Sequence, residues 1–168
     1  WQTTMDVAPG ATGTYNDVNS LTDGYHTYTL TSMLGDFESS ARKGEPVSEK
    51  TYVGWDTPDV VGNVTVADKS SSVVLAWEAP TKGANGFAFN PADCKYNVYP
   101  VTIEEFWGMT FPVTDKENPY ATALTETSAN IAFNTNEGDM GFTYFAVTAE
   151  NTVGESEDVY GAVVTGKP

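Results

Sequence analysis

The chain has one cysteine, Cys94, one histidine, His26, and only eight basic residues against 23 acidic ones. A lone cysteine allows no intrachain disulfide and no four-cysteine zinc site, so the fold must hold by packing. The formal net charge is −15, spread as 8 acids against 3 bases in residues 1–57 and 15 against 5 beyond. Such a field repels phosphate, which argues against nucleic acid and anionic membrane surfaces as partners. No apolar run approaches the roughly 18 residues of a membrane-spanning helix, and no basic-then-apolar leader opens the sequence. The start at Trp1 is that expected of a processed or excised piece of a longer protein.

Catalytic signatures are equally scarce. There is no Gly-x-Ser-x-Gly elbow and no Gly-rich phosphate loop, and His26 lies far along the chain from Cys94. Glu104 and Glu105 are adjacent in a strand-like run and so point to opposite faces, the wrong geometry for an acid and a base on one bond. The expectation is a non-catalytic chain without cofactor or metal, although a parent protein of which it is one part can still be an enzyme. Asn134 to Asp139 clusters oxygen side chains but lacks the spacing and terminal glutamate of a calcium loop, and reads as a turn. Asn63-Val64-Thr65 fits an N-glycosylation sequon, which has meaning only in a eukaryotic secretory pathway.

What is present is strand pattern. In Ser71 to Pro80, Val73, Leu75 and Trp77 alternate with Val74, Ala76 and Glu78, and Pro80 ends the run because it has no N–H for a ladder. Cys94 to Val101 and Phe142 to Asn151 alternate in the same way, with Phe145, Val147 and Ala149 sharing one face. Val60 to Val66, Ala129 to Phe133 and Val159 to Thr165 read as further strands, and Asn118 to Thr127 as loop and turn. Cys94 reads as a small buried hydrophobe.

The order Trp77 and Pro80, then Tyr96-x-Val98-x-Pro100, then Tyr144-x-x-Val147-x-Ala149-x-Asn151-x-x-Gly154-x-Ser156 resembles a fibronectin type III domain over residues 58–168. Gly83-x-Asn85-Gly86 and Tyr52-Val53-Gly54-x-Asp56-x-Pro58 resemble, more narrowly, the tandem copies in large secreted proteins of Bacteroidota. The resemblance implies an all-β, immunoglobulin-like sandwich in an extracellular or cell-surface protein. It also implies an inward tyrosine near the start of the Phe142 strand. That position is Thr143 here, with Tyr144 one residue on, so either the register slips or the tyrosine corner is missing.

Residues 1–57 resemble the last strands of the same fold. Asp23-Gly24-Tyr25-His26-Thr27-Tyr28 matches Asp139-Met140-Gly141-Phe142-Thr143-Tyr144 with a gap, and Gly54-x-x-x-Pro58 matches Gly166-x-Pro168. Thr27 to Ser32 and Glu49 to Val53 are the extended segments expected there, with a turn at Gly35 to Ser39. The implied repeat is about 110 residues. Residues 1–57 then form the C-terminal part of a preceding module, and a complementing fragment is an expected partner, beside neighbouring domains of the same protein. The other readings are opening strands that lie outside the given sequence, an N-terminal piece that packs differently on its neighbour, and one compact domain with an N-terminal extension.

Thr102 to Pro112 departs from the family pattern, which places a short polar turn there. Phe106, Trp107, Met109 and Phe111 crowd into one hairpin-like segment beside two glutamates. These residues, with Trp55 in the linker, are the candidate binding set: flat rings give large contact area at low entropy cost, to a protein partner or to a sugar ring. The competing reading has Trp107 and Phe111 capping the domain's own core or packing on the neighbouring module, and Trp55 fixing an inter-module angle. Phe87 and Phe89, in the Gly- and Asn-rich loop Thr81 to Asp93, either tuck beneath it or stand out as contacts.

Overall fold

The computed structural model describes residues 5–8, 10–17, 21–34, 36–39, 50–69, 72–132 and 141–165. The expected turn at Asn134 to Asp139, the last residue of the expected strand Ala129 to Phe133, Gly35 and the Gly166-x-Pro168 match lie outside the described residues. In chain order the strands are β1 (Gly24–His26), β2 (Met33–Leu34), β3 (Phe37–Glu38), β4 (Thr51–Val53), β5 (Gly62–Lys69), β6 (Ser72–Glu78), β7 (Lys95–Phe106), β8 (Met109–Thr114), β9 (Ala121–Leu124), β10 (Ser128–Ile131), β11 (Gly141–Glu150) and β12 (Val159–Thr165).

Two sheets face each other. One has the order β10-β6-β5; the other has the order β12-β11-β7-β8, with β9 also pairing β7. All their pairings are antiparallel. This is an all-β sandwich with an immunoglobulin-like strand order. The alternating residues of β6 and β11 supply its centre: Leu75, Phe145, Val147 and Ala149 are fully buried, with Val73, Trp77, Tyr96, Val98, Ile131 and Val163 packed around them. Burying a side chain of this size stabilises by about 1.5–3 kcal/mol. Trp77 meets Tyr96 edge-on at 5.5 Å. A Cβ at Gly161 would run into the far end of the Phe145 ring, so the bare backbone of β12 is what leaves room for that ring.

Several expectations change. β7 does not stop near Val101 but continues to Phe106, because β8 gives its second half a hydrogen-bonded partner. The segment Asn118 to Thr127, expected as loop, contains β9; its short alternation hides in sequence because Ala123 adopts φ 54° and breaks the pleat. Thr27 to Ser32, expected as a strand, is not one: the pairing lies earlier, in β1, which meets β4, while β2 and β3 form a separate hairpin. Tyr144 sits opposite Val101 on the outward side of β11, and the inward set continues to Thr143, opposite buried Val163. The register has not slipped, and the tyrosine corner is missing. Cys94 precedes β7 and is partly buried against the core.

Candidate interaction surface and linker cradle

The candidate binding residues fall at two ends of the sandwich. β7 is 12 residues long, and at about 3.3 Å per residue it separates those ends by on the order of 35 Å. At its far end Phe106 pairs with Met109 across a two-residue turn, Trp107-Gly108, in which both residues have positive φ, 56° and 73°. These angles are those of a type I′ turn, whose twist suits a hairpin and whose usual sequence is Asn-Gly. A tryptophan there is under backbone strain. It is 84% exposed, and Phe106, Met109 and Phe111 are exposed with it. The branch in which Trp107 and Phe111 cap this domain's own core is therefore corrected: the hairpin projects past the end of the core, so no inner face is there to receive them, while packing on a neighbouring module needs these same rings exposed here.

The outward face beside the hairpin is apolar where an antiparallel sheet of this kind ordinarily turns polar side chains to water. A shallow cavity of about 270 Å³ opens there, lined by Val101, Ile103, Phe111, Pro112, Tyr144 and Tyr160 among others. Sequence reasoning missed this face, although the outward positions of β7, β11 and β12 already carried its signal: Ile103, Phe142, Tyr144 and Tyr160 stand where polar residues belong.

The other end of the same face is polar and closed. Glu155 accepts hydrogen bonds from Asn97 Nδ2, Tyr99 OH and Thr148 Oγ1, and pairs with Lys116 at 2.7 Å. Burial pushes its carboxyl up, but Lys116, Thr148, Tyr99 and Asn97 together hold it down at about 2. Burial and Glu155 push the Tyr99 hydroxyl well above its ordinary value. Asn97 and Thr148 are buried, and Asn97 Oδ1 also accepts from the Ala123 N–H, which ties β9 to β7. The network fixes the loop between β11 and β12 on the sheet.

At the near end, the linker Trp55 to Pro58 lies in a cradle. The Asp56 carboxylate, wholly buried, accepts from the N–H and Nδ2 of Asn85, from the Phe87 N–H and from the Tyr52 hydroxyl. Burial pushes the Asp56 carboxyl up, and these donors more than reverse it, so it lies below its ordinary value. Asn151 Nδ2 donates to the Asp56 carbonyl at 2.7 Å, and Ala84 N–H donates to the Thr57 carbonyl. A Cβ at Gly83 would collide with Asp56. The Asp56, Pro58, Gly83, Asn85 and Asn151 of the family resemblance are thus one structural unit drawn from three parts of the chain.

Aromatic rings seal this junction. Phe87 stacks on Tyr52 at 4.4 Å, and Tyr25 meets both rings edge-on, at 5.0 Å from Tyr52 and 6.0 Å from Phe87. The pair β1 and β4 is thereby held against the loop. Of the two loop phenylalanines, Phe89 tucks inward and Phe87 stands out as the contact. Trp55 is about half exposed beside the cradle, separated from the hairpin residues by the length of the sheet. Among the described residues no group of three or more His, Cys, Asp or Glu side chains is placed to hold a metal.

No family profile and no curated protein matches this sequence. Among solved structures, the chain is similar to a mutant form of FN3tt at 17% identity and a TM-score of 0.42, with 66% of this chain and 99% of that one covered. It is similar to domains d3–d4 of the rat CD45 extracellular region at 12% identity and a TM-score of 0.42, over 98% of this chain and 80% of that one. It is also similar to the Clostridium perfringens spore cortex lytic enzyme SleM at 16% identity and a TM-score of 0.43, over 65% of this chain and 29% of the enzyme.

Proposed function

We propose that this chain is a non-catalytic spacer and interaction unit of a larger secreted or surface-anchored bacterial protein, and that it makes contact with a protein partner, in adhesion, through the Phe106–Phe111 hairpin. The observation that carries the reading is Trp107: a bulky residue held at positive φ in a turn that glycine or asparagine would fill without strain, with its ring in water. Strain of this kind collects at functional positions. Met109 and Phe106 beside it extend the apolar contact, and Glu104 and Glu105 suit a basic rim on the partner.

Residues 1–57 fit the same reading as the closing strands of a preceding module, which the Asp56 cradle holds at a set angle. A complementing fragment carrying that module's opening strands is then a partner of this segment. Carbohydrate binding is the second reading, favoured by the exposure of Trp107, since an open indole can stack on a sugar ring. Phe106 and Trp107 are tilted by 58°, with centroids 6.1 Å apart, which is not one flat platform.

Trp107→Asn separates the readings. Asn-Gly is the preferred type I′ pair, so the variant is expected to gain about 0.5–1 kcal/mol in urea unfolding. Binding to a protein-coated surface that the variant loses, with fibrinogen and collagen as the first surfaces tried, supports adhesion through the hairpin. Binding to cellohexaose, xylohexaose or chitohexaose that Trp107→Asn abolishes would replace adhesion by the carbohydrate reading. Protein binding that the variant retains would remove the hairpin from the site.

A further inference from the structure

We propose that the outward end of β11 and β12, centred on Phe142 and Val164, is the open half of a second junction, shaped to receive the loop of a following sandwich with an aromatic residue where this chain has Phe87. The inference rests on the tandem reading above. Its ground is a correspondence of register. β1 and β4 pair Gly24 with Val53, Tyr25 with Tyr52 and His26 with Thr51. β11 and β12 pair Gly141 with Thr165, Phe142 with Val164 and Thr143 with Val163. In both ribbons a glycine opens the first strand opposite the last residue of the second, and a large apolar pair follows.

In the first ribbon that pair is occupied. Tyr52 stacks on Phe87 and Tyr25 meets it edge-on, while the Asp56 cradle closes behind them. In the second ribbon the corresponding pair is open to water: Phe142, whose ring lies 6.4 Å from that of Tyr144, is 67% exposed, and Val164 is 52% exposed. Nothing in the packing of the sandwich itself needs two large apolar side chains at this outward position, since the core lies on the opposite face. The occupied junction supplies what they would meet, and so specifies the occupant: a loop whose small and amide-bearing residues grip a linker aspartate and whose next residue presents an aromatic ring.

Charge is compatible with that occupant. None of the chain's bases lies in β11, in β12 or in residues 83–89, and none of its acids lies in residues 83–89 or within four residues of Phe142 on β11. Apart from the Asp56 carboxylate, which Asn85 and Phe87 hold and bury, the facing stretches of strand and loop add no charge of their own to the close approach. One difference sets the strength. Val164 stands where the first ribbon has Tyr52, so the ring stack becomes an aliphatic contact and the hydroxyl bond to the aspartate is absent. The second junction is therefore weaker than the first.

The test is a fusion in which a second copy of residues 54–168 follows directly after Thr165 of the full chain, so that its Gly54 takes the place of Gly166. Residual dipolar couplings and relaxation report whether the two sandwiches tumble as one body, and hydrogen exchange reports the Phe87 amide of the second copy. One shared alignment tensor is expected. With Phe142→Ser in the first copy, the sandwiches are expected to reorient independently and the second Phe87 amide to exchange at least about tenfold faster, with both sandwiches still folded. Independent tumbling of the unsubstituted fusion overturns the proposal and leaves the tandem reading standing with flexible linkage. Joint tumbling that survives Phe142→Ser also overturns it. A second copy with no cooperative unfolding transition of its own would show that residues 54–168 are not a module, and the tandem reading and this inference would fall together.

Discussion

Glu155→Ala is expected to lower the unfolding free energy by about 3–4 kcal/mol, a large share of the roughly 5–15 kcal/mol that holds a domain. The substitution removes one acceptor and strands several donors. Asn97 Nδ2 and Thr148 Oγ1 are in buried residues and lose this acceptor, Tyr99 OH loses its carboxylate partner, and Lys116 keeps Asp158, at 3.6 Å, and the face of the Tyr99 ring. Urea unfolding followed by tryptophan fluorescence measures the loss. A change below about 1 kcal/mol would mean that these donors find other acceptors and that the network is decorative.

The same residue sets an acid dependence. Its folded carboxyl sits at about 2, against 4.5 for the ordinary group. A depressed carboxylate contributes stability that is complete above the unfolded value and is lost as pH falls through the folded one. The window is therefore from about pH 4.5 down to about 2. A shift of this size corresponds to at most about 3 kcal/mol, and partial exposure of the side chain, 23%, reduces it toward 2. Glu155→Gln is expected to flatten the slope of stability against pH across that window. An unchanged slope would assign the acid sensitivity to other carboxylates.

Asp56→Ala is expected to cost about 2–4 kcal/mol locally and to release the β1–β4 pair from the sandwich. The wholly buried carboxylate gathers the amides of Asn85 and Phe87, the Asn85 side chain and the Tyr52 hydroxyl, so its loss opens the loop and the linker together. Once the loop moves, Phe87 no longer meets Tyr25 and Tyr52. Hydrogen exchange should show faster turnover at Gly24–His26, Thr51–Val53 and Phe87, with protection in β6, β7 and β11 retained. Loss of protection throughout would make Asp56 part of the core's own stability; no change at β1 and β4 would mean that the rings alone hold the junction. Asp56→Asn, which keeps one acceptor oxygen, is expected to fall between.

Much of this was legible in the chain. The alternation in Ser71 to Pro80 and in Phe142 to Asn151 placed Leu75, Trp77, Phe145, Val147 and Ala149 in the core before any coordinates, because a strand's side chains have a strict period of two. Hairpin geometry at Thr102 to Pro112 was legible from its composition. The positive φ at Trp107 was not, since no local rule puts tryptophan in a type I′ turn. β9 was missed for the same reason: Ala123 at positive φ breaks the alternation by which a strand is read.

The sequence by itself determined the all-β class, the inward face of the central strands, the absence of disulfide staples and the acidic surface, because each follows from residue type or nearest-neighbour periodicity. Only the tertiary structure decided that Asp56 meets Asn85, that Glu155 gathers Asn97, Tyr99 and Thr148, and that Tyr25 and Tyr52 close on Phe87. Those partners lie 29 residues apart for Asp56 and Asn85 and 58 for Asn97 and Glu155. Their meeting depends on how loops from different strands converge at one end of the sandwich, which periodicity within a strand does not encode. Whether Trp107 points inward or into water was likewise settled by where the core ends, a property of the two sheets together and of no single stretch of chain.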